Sequence, residues 1–213
     1  VIDRSPYLSL PRGAETTGVL EVKRSRFLAV VRSADSEDAA RDTVAELRRA
    51  HRDARHHCSA FVIGPHAEIA RTNDDGEPSG TAGAPMLDVL RGADLSDVVA
   101  VVVRWFGGTL LGAGGLARAY GDAVSLALAD APVVRREPLD LVRLALPHAD
   151  AGRVEADLRG RGVHVLDTEY AAEATLLLAT SDPASVDAAV AAATAGAGRL
   201  EPAGTRWVET PVR

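Results

Sequence analysis

The chain has 213 residues, 46% apolar and 25% charged, with a formal net charge of −6 and one cysteine, Cys58. That composition excludes general disorder, an internal disulfide framework, a thiolate metal cluster and a protein that coats nucleic acid through bulk positive charge. With no apolar run of about 18 residues and no basic-then-apolar start, neither a membrane helix nor a signal peptide is expected, and the predicted location is cytoplasmic.

At roughly 100 to 150 residues per domain, the length suits one large domain or two small ones. The expectation is two, at 18–132 and 133–213, after a loose leader at 1–17 that carries Pro6, Pro11 and Gly13. Val19 to Arg32 is β-branched and apolar with partial alternation, which predicts one long strand or a hairpin interrupted near Arg24-Ser25. A helix opens at Asp35-Ser36, with Glu37 and Asp38 in its positive first turn, Ala40, Val44 and Leu47 at helical spacing, and a basic end. Two runs follow, from Cys58 and from Ala67, separated by Gly64-Pro65, and they read as a hairpin.

The segment "NDDGEPSGTAGAP", Asn73 to Pro85, is polar and lacks periodicity. Loops of this length inside compact domains are more often functional than idle. Asp74, Asp75 and Glu77, with Thr81, are candidates to border a cleft. Three carboxylates within four positions suit a hard cation, but Asp-Gly and Glu-Pro are also ordinary turn chemistry, and the expectation is a turn with no metal. Met86, Leu87 and Leu90 then suggest a short helix, and Val98 to Val103 a fully buried strand.

From Gly107 to Gly115, five of nine residues are glycine. Either the backbone bends as a side chain forbids, or something comes close to it. A P-loop is excluded because Ala113 and Gly114 stand where lysine and the hydroxyl belong. The dinucleotide pattern fits Gly112, Gly114 and Ala117 formally, but the turn does not follow the strand at once and no ribose-binding acid lies about 20 residues on. Two readings stay open. Amides near Gly112 to Gly115 at a helix start could hold an anion, with Gly107, Gly108, Arg104 and Arg118 around it, or the glycines allow a close strand-to-helix crossing. The helix itself, from about Gly115 to Asp130, presents Leu116, Tyr120, Ala123, Val124 and Ala127 to a core, while Trp105 and Phe106 are expected beneath the turn. The remaining chain reads strand, helix, strand, strand, helix, strand, the βαββαβ order of a ferredoxin-like unit.

Cys58 next to His57 invites a nucleophile and base, but alternation gives His56, not His57, the face of Cys58, and a buried strand cysteine is the expected outcome. The run from Arg48 to His57, with Lys23, Arg24 and Arg26, suits either RNA phosphates or an ordinary basic helix end.

"NDDGEPSGTAGAP", "VVVRWFGGTLLGAGGLARAY" from Val101, "KRSRF" from Lys23 and "HHC" from His56 together resemble the YigZ/IMPACT family over about residues 18 to 131, and the remainder resembles the extra C-terminal domain of its bacterial branch. The resemblance implies an α+β protein of two domains: the first like the second domain of a small-subunit ribosomal protein, domain IV of elongation factor G and the GHMP kinases, the second ferredoxin-like. The eukaryotic branch is associated with translational control through protein partners. This chain begins close to the shared core, so that branch's N-terminal partner-binding domain is expected to be missing and its partner interaction is not carried over. The expected function is a non-catalytic, translation-linked regulator that contacts RNA, the ribosome or a translation-related protein, with no cofactor, no membrane and no DNA-specific signal. The alternative is a small-molecule binder or enzyme that holds a phosphate ligand at the same turn, although the glycine-serine-serine signature of the GHMP kinases is missing.

Overall fold

A computed structural model describes residues 5–212. They divide into two compact units, 5–136 with 209–212, and 137–208. In chain order the elements are β1 (Tyr7–Ser9), β2 (Glu15–Val22), β3 (Ser25–Ser33), α1 (Glu37–Ala50), β4 (His56–Ile63), β5 (Ile69–Asn73), α2 (Gly83–Gly92), β6 (Val98–Trp105), α3 (Ala113–Leu128), β7 (Val134–Leu146), α4 (His148–Gly160), β8 (His164–Tyr170), β9 (Ala174–Thr180), α5 (Pro183–Ala193) and β10 (Leu200–Pro211).

The first unit is built on an antiparallel sheet in the order β2-β3-β6-β4-β5. Its central strand β6 is one continuous apolar run because both faces are covered. Val98, Ala100 and Val102 pack with Phe27, Leu116, Tyr120 and Val124 on the α2 and α3 side. Val99, Val101 and Val103 pack with Val30, Leu47 and Phe61 on the α1 side. Each fully buried valine stabilises the sheet by about 1.5 to 3 kcal/mol. Helix α1 begins where predicted, because the Ser36 hydroxyl accepts from the Ala39 amide at 3.2 Å and satisfies one of the orphan donors of its first turn.

The stretch from Val19 to Arg32 is a hairpin. Its two-residue turn, Lys23-Arg24, has positive φ at both positions, 46° and 67°. Mirror-image turns of this kind match the twist of the flanking strands but favour glycine, so something outside the turn must hold these two side-chain-bearing residues.

Residues 5–17 do not form a loose leader. Tyr7–Ser9 pair with the start of β7, Tyr7 opposite Arg136 and Ser9 opposite Val134, and Leu10 is fully buried. Three residues are too few to show a period, and their partner strand lies far along the chain; residues 1–4 lie outside the described residues. Arg136, itself 1% exposed, ties this corner together. It donates to Asp97 Oδ2 at 2.8 Å, Glu209 Oε1 at 3.0 Å, Ser33 Oγ at 2.9 Å and the Leu10 carbonyl at 3.3 Å. The Tyr7 hydroxyl also donates to Asp97, and burial together with that carboxylate pushes its pKa up to about 12.

The second unit has the sheet order β10-β7-β9-β8, the ferredoxin-like arrangement that the βαββαβ order predicts. Helices α4 and α5 cover one face through Val154, Leu158, Val186 and Val190, packed on Leu144, Leu176 and Leu178. The protein is therefore an α+β chain of two domains.

Candidate functional site

The three acidic residues of the loop between β5 and α2 have three different partners, each set by a different part of the sheet. Asp74 turns inward. Its Oδ1 accepts from the amides of Ala82 and Gly83 at 3.0 and 2.8 Å, and its Oδ2 from Gly80 at 2.7 Å. It thus supplies the N-terminal cap that Ala82, with no polar side chain, cannot. Burial works against its ionisation, but these amides outweigh it and hold the carboxyl below its ordinary value. Asp75 bonds Arg48 at 2.8 Å and the His57 amide at 2.7 Å, fixing the loop to the end of α1 and the start of β4.

Glu77 lies deepest, its side chain 4% exposed. Its Oε1 accepts from Arg104 Nη1 at 2.5 Å and from the Tyr120 hydroxyl at 2.7 Å. Tyr120 in turn receives the Cys58 thiol at 3.3 Å, and that thiol also lies 3.0 Å from the Asp74 carbonyl. The guanidinium of Arg104 sits between two rings, 5.3 Å from Phe27 and 5.6 Å from Phe106. A buried polar chain thus runs from Arg104 at the end of β6 to Cys58 on β4. Burial first, then the neighbouring carboxylates, pushes the Cys58 thiol up to about 12 despite the Tyr120 bond, and Tyr120 is also driven well above its ordinary value. Cys58 is a buried structural thiol, as expected, and not a poised nucleophile. Thr81 is buried and its hydroxyl donates to the Pro78 carbonyl at 2.6 Å, which shapes the loop and does not face a cleft.

Above this network is a cleft of about 350 Å³. Glu77 and Arg104 form its floor, Arg55 and His56 one side, and Gly112 with Ala113, at the start of α3, another. Its walls are apolar, from Pro78, Phe106, Leu110, Leu111 and Leu116. His56 Nδ1 lies 2.9 Å from the Asp75 carbonyl, so it is the protonated nitrogen, and Nε2 is left toward Glu77 at 3.9 Å.

The glycines turn out to do different things. Gly107 is a close approach: a Cβ there would stand 2.1 Å from the Arg24 carbonyl carbon and 2.3 Å from the Ser25 nitrogen. The Gly107 amide donates to Ser25 Oγ at 3.1 Å, which holds the Lys23-Arg24 turn from outside. Gly108 and Gly112 have φ of 85° and 72°, and Gly112 is the N-cap of α3, which offers no side chain to the first amides. Gly114 meets nothing within 4 Å. Both readings of the stretch, close crossing and open helix start, therefore describe part of it.

Several sequence expectations are corrected here: Asp74, Asp75 and Thr81 do not line the cleft with Glu77, and of Gly107, Gly108, Gly112, Gly114 and Gly115 only Gly112 does. Arg118 is exposed on α3 and is not among the residues that line the cleft. Phe106 does not pack beneath the turn but is 44% exposed on the cleft wall, while Trp105, half-buried, lies against α1 and donates from Nε1 to Asp53 at 2.7 Å. Arg55, which the sequence offered only as one member of a basic run, is the cation at the rim.

Known proteins resemble both parts of the chain. Residues 23–128 match the family described as Impact N-terminal domain, and residues 144–197 match a domain of unknown function, DUF1949. A solved structure described as "Crystal structure of an hypothetical protein" is similar with a TM-score of 0.61 and 37% identity, over 92% of this chain and 96% of that one. IMPACT family member YvyE of Bacillus subtilis (strain 168) is 42% identical over 153 residues, 72% of this chain and 70% of that protein. IMPACT family member YigZ of Escherichia coli (strain K12) is 40% identical over 174 residues, 81% of this chain and 84% of that protein. At 40 to 42% identity over more than two thirds of this chain and of each of these two relatives, this chain belongs to the IMPACT family.

Proposed function

We propose that this protein is a translation-linked regulator that works by binding, and that the cleft at the start of α3 holds an anionic group of its partner, an RNA, the ribosome or a translation-related protein. The observation that carries this reading is the open N-terminus of α3, whose first amides lack a side-chain cap, beside the exposed Arg55. Membership of the IMPACT family supports the link to translation. That the work is binding is supported by the state of the reactive groups: Glu77, Tyr120 and Cys58 are bonded to one another and to Arg104, and the thiol is held protonated. Among the described residues no helix is long and apolar enough to cross a membrane.

The test is co-sedimentation with ribosomes and filter binding to RNA across a salt series, with wild-type protein and Arg55→Gln. Binding should weaken as salt rises, and Arg55→Gln should weaken it at low salt. No binding at low salt, or binding indifferent to both salt and Arg55, overturns the reading. The same open helix start, beneath apolar walls that suit an organic body, supports a second reading, a small phosphate-bearing ligand; a thermal-shift screen of nucleotides and phosphorylated metabolites tests it, and no stabilisation at millimolar ligand counts against it.

A further inference from the structure

The charges around the cleft match one negative charge and not several. Arg104 is spent on Glu77, so the floor adds no net charge. Arg55 is exposed and meets no carboxylate among the described residues. The start of α3 contributes about half a positive charge. A carboxylate is matched by that total, whereas a phosphate dianion carries more charge, and the successive phosphates of a nucleic-acid backbone find no second unpaired arginine or lysine among the lining residues. Arg104 gives a second, independent sign of a ligand: its side chain is 5% exposed and lines the cleft, and its Nε has no acceptor. That donor is buried without a partner, and a small turn of the guanidinium toward an oxygen seated on this floor would relieve the cost.

The rest of the lining asks for an apolar body. Phe106 is 44% exposed and Leu110 83%, so two large apolar side chains stand at the mouth of a cleft whose inner wall continues with Leu111 and Leu116. Gly112 and Ala113 are exposed beside Leu110, so a chain that enters here has an open way out.

We infer that the cleft receives the C-terminal end of a partner protein chain. The terminal carboxylate lies on the first amides of α3 beside Arg55, and the apolar last side chain lies against Phe106, Leu110 and Leu116. This rests on the binding reading proposed above and narrows its partner to a protein.

The experiment uses the full chain and a fluorescein-labelled hexapeptide that ends in leucine with a free carboxylate, compared by anisotropy with its C-terminal amide, a hexapeptide ending in aspartate, hexanoate, inorganic phosphate and a short RNA. The free acid should bind at least tenfold more tightly than either the amide or the aspartate peptide, and displacement by hexanoate should need far higher concentration than displacement by unlabelled peptide. Arg55→Gln should cost about tenfold and abolish the preference for the free acid, and Leu110→Ser should weaken the leucine peptide alone. Both positions are exposed, so neither change threatens the fold, and circular dichroism checks that. Equal binding of acid and amide, or hexanoate as effective as peptide, overturns the inference. Arg55-dependent binding of RNA or phosphate without peptide binding overturns it and leaves the broader reading standing. Absence of any Arg55-dependent ligand overturns both.

Discussion

Gly107→Ala separates the two reasons for which the turn is rich in glycine. The added Cβ would stand 2.1 Å from the Arg24 carbonyl carbon, and ordinary contact begins near 3.4 Å, so the hairpin turn must retreat by about 1.3 Å. It has little room to do so, since Lys23 and Arg24 already have positive φ and Ser25, fully buried, holds the Gly107 amide. Overpacking against backbone costs about 3 kcal/mol, and the strained amide bond about 1 kcal/mol more, against a gain of about 0.4 to 1 kcal/mol from the stiffer unfolded chain. The net loss is about 3 kcal/mol, equivalent to a drop of roughly 6 to 12 °C in Tm for a chain of this size. Gly114→Ala is the control, because its Cβ meets nothing and lies in the first turn of α3; it should be neutral or stabilise by about 0.5 to 1 kcal/mol. Urea unfolding followed by circular dichroism reads both. If Gly107→Ala loses less than about 1 kcal/mol, or if Gly114→Ala is as harmful, the close-approach argument is wrong.

Glu77→Ala should destabilise the protein by about 3 to 5 kcal/mol by leaving Arg104 buried without its partner, whereas the double change Glu77→Leu with Arg104→Met should recover most of that loss; a double-mutant cycle in urea gives both numbers. Cys58 should resist a disulfide exchange reagent at pH 8 until the first unit opens, which makes the sole cysteine a reporter of unfolding. In alkali the sign is set by the raised folded pKa. The unfolded thiol ionises near 9 and the folded one near 12, so its contribution is complete below pH 9 and is lost as pH rises toward 12; Cys58→Ala should remove that part of the slope. For Asp74 the folded value is depressed, so its contribution is present above the ordinary carboxylate range and is lost as pH falls through the folded value. Asp74→Asn should therefore cost about 1 kcal/mol at neutral pH as a lost cap and flatten the acid limb of stability measured below about pH 4.

The parts of the fold that could be read in the sequence are those decided by near neighbours. Ser36 before Glu37 and Asp38 marks a helix start within four residues, and the alternating sides of Val98 to Val103 become a strand buried on both faces. The second unit was legible because its element order alone names the sheet order. What was hidden depends on distant partners. Nothing near Glu77 distinguishes it from Asp75; only Arg104 and Tyr120, 27 and 43 residues away, make one carboxylate a buried floor and the other a surface clamp. Arg118 follows the glycines closely in sequence and so reads as a cleft residue, while Arg55, which lines the cleft, precedes a different strand. Exposure of Phe106 could not be read either, since an aromatic after a buried strand is usually buried with it. Gly107 carries a usable signal, in that a glycine two residues past a strand end and beside another glycine marks where two backbones meet.

The cluster on Arg136 sets an order of events during synthesis. Arg136 and Asp97 can meet as soon as residue 136 has emerged from the ribosome, but the Glu209 carboxylate, 73 positions later, is still to come. At 5 to 20 residues per second that interval is roughly 4 to 15 seconds, during which the first unit exists with one arm of its arginine unanswered. The nascent protein therefore passes through a stage in which most of the cleft-bearing unit is made while its last bond waits for the second unit to be translated.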